Sequence, residues 1–313
     1  MARRCVALLT GGVIAAAVWP SSVEALTITI APAFSGSYTA LDLGSSGTAG
    51  PHGGLTFLPG DPNHILLGSN PNAITGVFYK IPLSRDANCH VDGFGLAVAY
   101  GTVGEYNDAG VTFGPERVLF STRYPRNELA QTRISSTNED RVDDLDGHGV
   151  VTEPSVTGAA FVPSGFAGAG QFKLITIDGE WYTLPLVADG AGTFAPGSAT
   201  FHAALVGGPE GIAYVSGGNA VFGADSVMVA ENTAGVLSTY TLDANGNAVV
   251  ASRRLFASGF PAPEGLAVDP LTGDLLTSDI SSSAIIRISG FVVPHAPDMI
   301  FTDGFDDLCA GAL

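Results

Sequence analysis

Short apolar stretches alternate with polar, glycine-rich ones along this chain, and one pattern recurs: glycine, apolar residue, any residue, apolar residue. It reads Gly54-Leu55-Thr56-Phe57, Gly110-Val111-Thr112-Phe113, Gly158-Ala159-Ala160-Phe161, Gly211-Ile212-Ala213-Tyr214 and Gly265-Leu266-Ala267-Val268. Alternation with period two is the signature of a strand with one face buried. The glycines are spaced by 56, 48, 53 and 54 residues, a period in the range of radially repeated β-units. After each copy the pattern predicts a second strand (His64 to Leu67, Arg117 to Phe120, Phe172 to Ile177, Val227 to Ala230, Leu275 to Thr277). A third is predicted at Gly76 to Leu83, Glu128 to Ile134, Glu180 to Val187, Gly235 to Leu242 and Ala284 to Ile288. A fourth follows at Phe94 to Tyr100, Val150-Val151, Ala199 to Leu205 and Val249 to Phe256. Four antiparallel strands per unit, repeated about an axis, define an all-β fold of the β-propeller type.

The fifth unit lacks a fourth strand of its own, while Leu26 to Leu43 is β-prone and belongs to no repeat. The expectation is that this N-terminal segment supplies the missing strand, because an open ring would leave an unpaired edge. Five blades are readable. Six remain open, with Thr137 to Thr152 as a place for a degenerate unit. Residues 26–293 are then one propeller domain and 294–313 a C-terminal tail.

Composition narrows the class. The chain is apolar, rich in glycine and low in charge, with no long stretch of helical periodicity. Its start carries Arg3-Arg4, an apolar core from Val6 to Val18, and the small-x-small triplet Val23-Glu24-Ala25. That is the layout of an export signal over residues 1–25. No later apolar run reaches the roughly 20 residues of a membrane span. A secreted or periplasmic, monomeric protein is expected. The formal net charge is −17, and about −18 once the leader is gone. Such a surface argues against nucleic acid as a partner and suits divalent cations. Cys89 and Cys309 remain after cleavage, and an oxidising compartment permits their pairing.

The units Pro209-Glu210-Gly211 and Pro263-Glu264-Gly265-Leu266-Ala267-Val268-Asp269, with Ser278-Asp279 closing the following strand, resemble repeats of the gluconolactonase/NHL-type propeller superfamily. The likeness covers Gly207 to Phe291. The first repeat, Gly53 to Pro62, also resembles exported bacterial propeller proteins. The resemblance implies a propeller but not one activity, since this fold hosts hydrolases, calcium binders and interaction modules.

Propeller ligand sites lie at one mouth of the axis, lined by the residues that precede each innermost strand. Here these are His52-Gly53, Asp108-Ala109, Thr157, Glu210 and Glu264. The turns after the second strands face the same end and offer Asn70, Arg123, Asp178, Asn232 and Asp279. Glu210, Glu264, Asn232 and Asp279 are hard oxygen donors suited to Ca²⁺ or another divalent cation. His52, Asp108, Thr157, Asn70 and Asp178 are candidate contacts for a small-molecule or protein ligand. Clustered carboxylates also raise one another's pKa and can supply a general base. In the gluconolactonase-like enzymes, calcium is held by a first-repeat Glu, two Asn and the Asp of a Pro-Asp-Gly motif. Glu264 matches that Asp with one more methylene, Glu210 stands where an Asn is usual, and His52-Gly53-Gly54 lacks the Glu. Three functions follow as alternatives: cation-assisted ligand binding, metal-dependent lactone or ester hydrolysis, and an interaction module without a small-molecule site. Asp86 to Gly93 begins like a calcium loop, but Val91 stands where an EF-hand needs Gly, so a hairpin turn is expected. Asp140 to His148 reads as a solvated acidic loop.

Overall fold

The computed structural model describes residues 25–151 and 155–293. Residues 1–24, on which the expected export signal falls, the C-terminal tail from residue 294 and Cys309 lie outside the described residues. Cys89 is in a disulfide.

Five antiparallel sheets stand in a ring as a five-bladed β-propeller. The innermost strands are His52–Leu58, Asn107–Phe113, Val156–Phe161, Pro209–Val215 and Pro263–Val268, for blades 1 to 5 in chain order. Each pairs with a second strand and that with a third. The second strands are Asp61–Ser69, Leu119–Arg123, Phe172–Thr176, Ser226–Glu231 and Leu275–Asp279.

The repeat glycines have a steric reason in this ring. A Cβ on Gly54 would meet the Ala109 carbonyl oxygen at 2.5 Å, and one on Gly110 the Ala159 amide nitrogen at 2.6 Å. One on Gly158 would meet the Glu210 carbonyl oxygen at 1.8 Å, and one on Gly211 that of Glu264 at 2.4 Å. One on Gly265 would meet the Gly54 Cα at 2.6 Å, which closes the circle. Each inner strand thus rests its glycine against the backbone of the next blade. Hydroxyls bolt three of these seams, that of blades 3 and 4 through Thr157 Oγ1 donating to Pro209 O at 2.9 Å. Ser278 Oγ accepts from Gly265 N and donates to Gly53 O at 2.6 Å. Thr122 Oγ1 accepts from Gly110 N and donates to Thr157 O. The expected cost of Gly158→Ala is on the order of 4 kcal/mol or more, because the obstacle is backbone that cannot move aside. At Gly147 an added Cβ would have nothing within 4 Å, so Ala should be tolerated there within about 0.5 kcal/mol. Urea unfolding of the two variants checks the contrast.

The N-terminal segment closes the ring and does more. Thr39–Asp42 pairs antiparallel with Ile285–Ser289 and is the fourth strand of blade 5. Just before it, Thr29–Ile30 pairs with Ala257 and Ser258 and adds a fifth strand to blade 4. Between them Phe34 and Tyr38, 1% and 2% exposed, enter an aromatic cluster with Phe222, Phe256 and Phe291. One segment therefore straddles the last two blades.

The structure corrects three expectations. The fourth strand of blade 4 is Arg254–Ser258, because the first half of the stretch from Val249 to Phe256 is taken by a 3-10 turn, Val250–Ser252. The fourth strand of blade 2 is Arg141–Asp144, paired with Glu128–Thr132, and not Val150-Val151. This strand lies inside the stretch expected to be a solvated loop. It tolerates its charges because it is an outer edge, where Arg141 pairs with Asp143 and Asp189 and charge discourages pairing with another chain. The third strand of blade 3 stops at Thr183. A small hairpin, Leu186–Ala188 with Phe194–Pro196, is inserted before the fourth strand, Thr200–Ala204. Pro185 has no N–H to continue the ladder. The Asp86 loop is a hairpin turn, its carboxylate accepting from the Asn88 and His90 amides.

Candidate metal centre

The start of each inner strand lies beside the end of its second strand: His52 opposite Ser69, Asn107 opposite Arg123, Val156 opposite Thr176, Pro209 opposite Glu231 and Pro263 opposite Asp279. The register shifts at this same place in all five blades. A bulge bends the strand and re-aims a side chain, and here five bulges occur at one end of the axis.

That bend brings together Asp108, Glu210 and Glu264 from blades 2, 4 and 5. One carboxylate oxygen of each lies within 4.8 Å of the others. The three residues are 1%, 6% and 1% exposed. Inner strands that are not neighbours in the ring, those of blade 2 against blades 4 and 5, come within 8 Å between Cα atoms. The axis is therefore narrow here, and the carboxylates meet across it.

The electrostatics of this cluster are severe. Burial pushes the Asp108 carboxyl well above the usual range, helped by the charges of Glu210 and Glu264. Glu210 is raised by burial and then by the charge of Glu264, with the nearby Thr157 hydroxyl opposing the rise. Glu264 is pushed up to about 7 by burial, against the adjoining Asp108 carboxyl and the Asn232 amide, with the Asp279 charge adding to the rise. Asp108 Oδ1 and Oδ2, Glu210 Oε2 and Glu264 Oε1 are buried without a hydrogen-bond donor. Buried carboxylates in this state call for protons or a cation. Oxygens bound to one Ca²⁺ at roughly 2.3–2.6 Å are at most about 5 Å apart, so the spacing fits a shared ion.

The other candidate residues divide by position. Asn232 is half-buried and donates its amide to Glu264 Oε2 at 3.0 Å. Thr157 is buried, its hydroxyl lying between the carbonyls of Ile175 and Pro209 at 3.2 and 2.9 Å. Asp279 is buried but turned into its own loop: Oδ2 accepts from Ala262 N, and Oδ1 from Ser282 N and Oγ. It acts on the centre through its charge. Asn70 and Asp178 are exposed at turns of the same end, outside the cluster. His52 is fully buried, with Nε2 against Ser46 Oγ. Blade 1 contributes no carboxylate, since Gly53 holds its ring position.

Asn107 is a residue that the sequence gives no reason to single out. Its amide donates to the carbonyls of Ser69 and Gly104 at 3.1 and 2.6 Å and fills the seam between blades 1 and 2. Cβ atoms on Gly53, Gly68 and Gly76 would lie 2.6, 2.1 and 2.6 Å from that amide. A cluster of glycines around one asparagine is the only signal, but it spans two blades and is invisible before the fold is known.

No protein-family model matches the sequence, and no curated protein does. Solved structures do resemble it. One is a Trichoderma reesei protein of Carbohydrate-Active Enzymes Family AA12, at 9% identity over 86% of this chain and 99% of that one, with a TM-score of 0.51. Another is the PQQ domain of pyranose dehydrogenase from Coprinopsis cinerea, at 10% identity over 84% and 97%, with a TM-score of 0.48. A third is an auxiliary nutrient binding protein from Bacteroides thetaiotaomicron, at 12% identity over 77% and 69%, with a TM-score of 0.43. Likeness at these identities shows the fold alone.

Proposed function

We propose that this protein is an exported propeller that holds a divalent cation, Ca²⁺ by its donor chemistry, among Asp108, Glu210 and Glu264, and binds a ligand at the mouth of the axis above it. The observation that carries the reading is the meeting of three buried carboxylates from three blades, with oxygens that no donor satisfies. Three hard oxygen donors without a thiol or imidazole favour Ca²⁺ or Mg²⁺ over softer ions. Asn232 fixes the orientation of Glu264 and is itself partly open to solvent, so it is the natural link between cation and ligand. The gluconolactonase-like resemblance supports the same location, with a ligand set of this chain's own.

The test is metal content, measured on protein purified without chelator, followed by calcium titration of chelator-treated protein. One cation per chain is expected, with binding lost in Glu210→Gln/Glu264→Gln. A metal-free protein that takes up no calcium would remove the reading. A lactone panel run with and without Ca²⁺ or Zn²⁺ examines the hydrolytic alternative, which metal-dependent turnover would assign to the same centre. Export has its own check: the secreted protein is expected to begin at or near Leu26, and intact Met1 in its mass spectrum would refute cleavage.

A further inference from the structure

Cys5, Cys89 and Cys309 are the cysteines of the chain. Cys89 is disulfide-bonded, and its partner is one of the other two. It sits in the hairpin turn of blade 1 between the third and fourth strands, Val77–Arg85 and Val91–Phe94. Its φ is 67°, a left-handed position that glycine or asparagine fills at lower cost. The turn lies at the end of the axis away from the carboxylates and is pressed against the Asp269 to Asp274 turn of blade 5. Arg85 Nη1 and Nη2 donate to Asp269 Oδ2 and Oδ1 at 2.6 and 3.2 Å, and His90 Nδ1 is 2.5 Å from Asp274 Oδ2. Arg287 Nη1 donates to Val91 O at 2.6 Å across the same seam. The end of the described chain comes to this place as well. A Cβ on Gly273, the residue before Asp274, would meet Val292 C at 2.7 Å and Val293 N at 2.9 Å. Gly273, Asp274 and His90 thus make a short route from Val293 to Cys89.

We propose that the partner of Cys89 is Cys309, and that residues 294–308 form a covalent strap from blade 5 to blade 1 across the seam where the ring closes. The proposal rests on removal of the leader, because Cys5 precedes the apolar core of the export signal and leaves with it. Length permits the bond. The 16 residues from 294 to 309 reach up to about 50 Å when extended, more than the route past Gly273, Asp274 and His90 requires. The strap gives the seam what its ladder cannot. Blade 5 is held to Thr39–Asp42, the strand that leads into blade 1, by hydrogen bonds and packing. Without the strap the ring is covalently open at this edge and parts when that ladder opens. A bond from Cys89 to Cys309 closes it and restricts the unfolded chain over the whole length between them. The bond forms by exchange. One cysteine thiolate attacks a donor disulfide, the other displaces the donor thiol, and the donor leaves as a dithiol carrying the two electrons. Disulfide donors of this kind work in oxidising compartments, where an exported chain matures.

The experiment is tryptic mapping of the secreted protein, with free thiols blocked and no reductant present. Cys89 falls in the peptide 86–117 and Cys309 in the peptide 288–313. The two are expected as one cross-linked species that separates on reduction. Free Cys89 and Cys309 thiols, or Cys89 joined to a second copy, would overturn the strap, while an N-terminus at Leu26 would leave the export reading standing. Cys89 joined to Cys5 would overturn both. Melting gives a second measure. Cys309→Ser and reduced wild type are each expected to melt about 5–10 °C below oxidised wild type. The Cys89→Ser/Cys309→Ser double variant should melt no lower than Cys309→Ser, because one bond is lost in either case. Cys309→Ser melting together with oxidised wild type would overturn the strap. The calcium response is expected to survive in Cys309→Ser, since the carboxylates stand at the other end of the axis, so the strap and the cation centre fail separately.

Discussion

A chain that begins at Gly44 is expected to yield no soluble, cooperatively folded protein. The deletion removes Thr39–Asp42 and leaves the ladder groups of Ile285–Ser289 facing solvent. It also removes Thr29–Ile30 from the edge of blade 4. An unpaired strand edge is a template for association with other chains. The larger loss is apolar. Phe34 stacks edge-on with Phe256 at 4.9 Å, and Tyr38 lies 4.6 Å from Phe291 between ring centroids. Without these two rings, Phe222, Phe256 and Phe291 lose the cover of their cluster. Truncating one buried aromatic ring to Ala costs about 3–5 kcal/mol, and a whole domain is stable by only about 5–15 kcal/mol. Phe34→Ala alone should therefore lower the stability severely and still leave a measurable transition. Circular dichroism, gel filtration and limited proteolysis check the deletion, and a synthetic peptide of residues 25–43 should restore folding in part. A truncated chain melting at the wild-type temperature would show that the ring does not depend on this segment.

The blades are legible in the sequence because a steric rule writes them. Only glycine fits where each inner strand touches the next, so Gly54, Gly110, Gly158, Gly211 and Gly265 recur in register with alternating apolar residues. The closing strand is legible by subtraction, since one β-prone segment has no unit and one unit has no fourth strand. Its second pairing, onto blade 4, has no local signal, because two residues of strand carry too little pattern. Arg141–Asp144 is hidden for the opposite reason: its charges read as solvated loop, and an outer edge is where a strand can carry them. The inserted hairpin of blade 3 is held from afar, with the Gln131 amide exchanging both hydrogen bonds with the Phe194 backbone at 2.6 and 2.8 Å.

Of the four residues read as cation ligands, Glu210 and Glu264 belong to the cluster, while Asn232 stands behind Glu264 and Asp279 caps its own loop. Glu210 and Glu264 share the position before the repeat glycine, so the ring places them together. Asp108 stands one position earlier in its blade, which from sequence alone suggests ligand contact instead. The register shift between Asn107 and Val111 lets it reach the same point, and bulges are not readable from one sequence. Asp279 has a carboxylate at the expected end, but Ala262 N and Ser282 N take its oxygens. Whether a carboxylate faces the axis or caps its own turn depends on backbone geometry that residue type does not encode.

Calcium is expected to raise the melting temperature of the chelator-treated protein, and the double variant Glu210→Gln/Glu264→Gln to lose that response. A ligand that binds only the folded state at a hundredfold excess over Kd contributes about 2.7 kcal/mol, which for a domain of this size is roughly 5–10 °C. The pH dependence should invert between the two forms. With carboxyl pKa values raised by folding, the metal-free folded protein binds more protons than the unfolded chain above the ordinary carboxylate range. Its stability is therefore complete below that range and falls as pH climbs through about 7 for Glu264, and also as Asp108 and Glu210, likewise raised, are forced to ionise. A bound cation stabilises the ionised forms, so calcium should protect little at about pH 5 and most above about pH 7, with protons released on binding. In the double variant two of the three buried charges are gone, so the metal-free form should melt above metal-free wild type at about pH 8. Melting curves of both proteins at these two pH values, across calcium concentrations, decide the matter. If calcium shifts neither protein at either pH while the metal-free variant still melts above wild type at about pH 8, no cation sits among these carboxylates, and shared protons alone keep the axis closed.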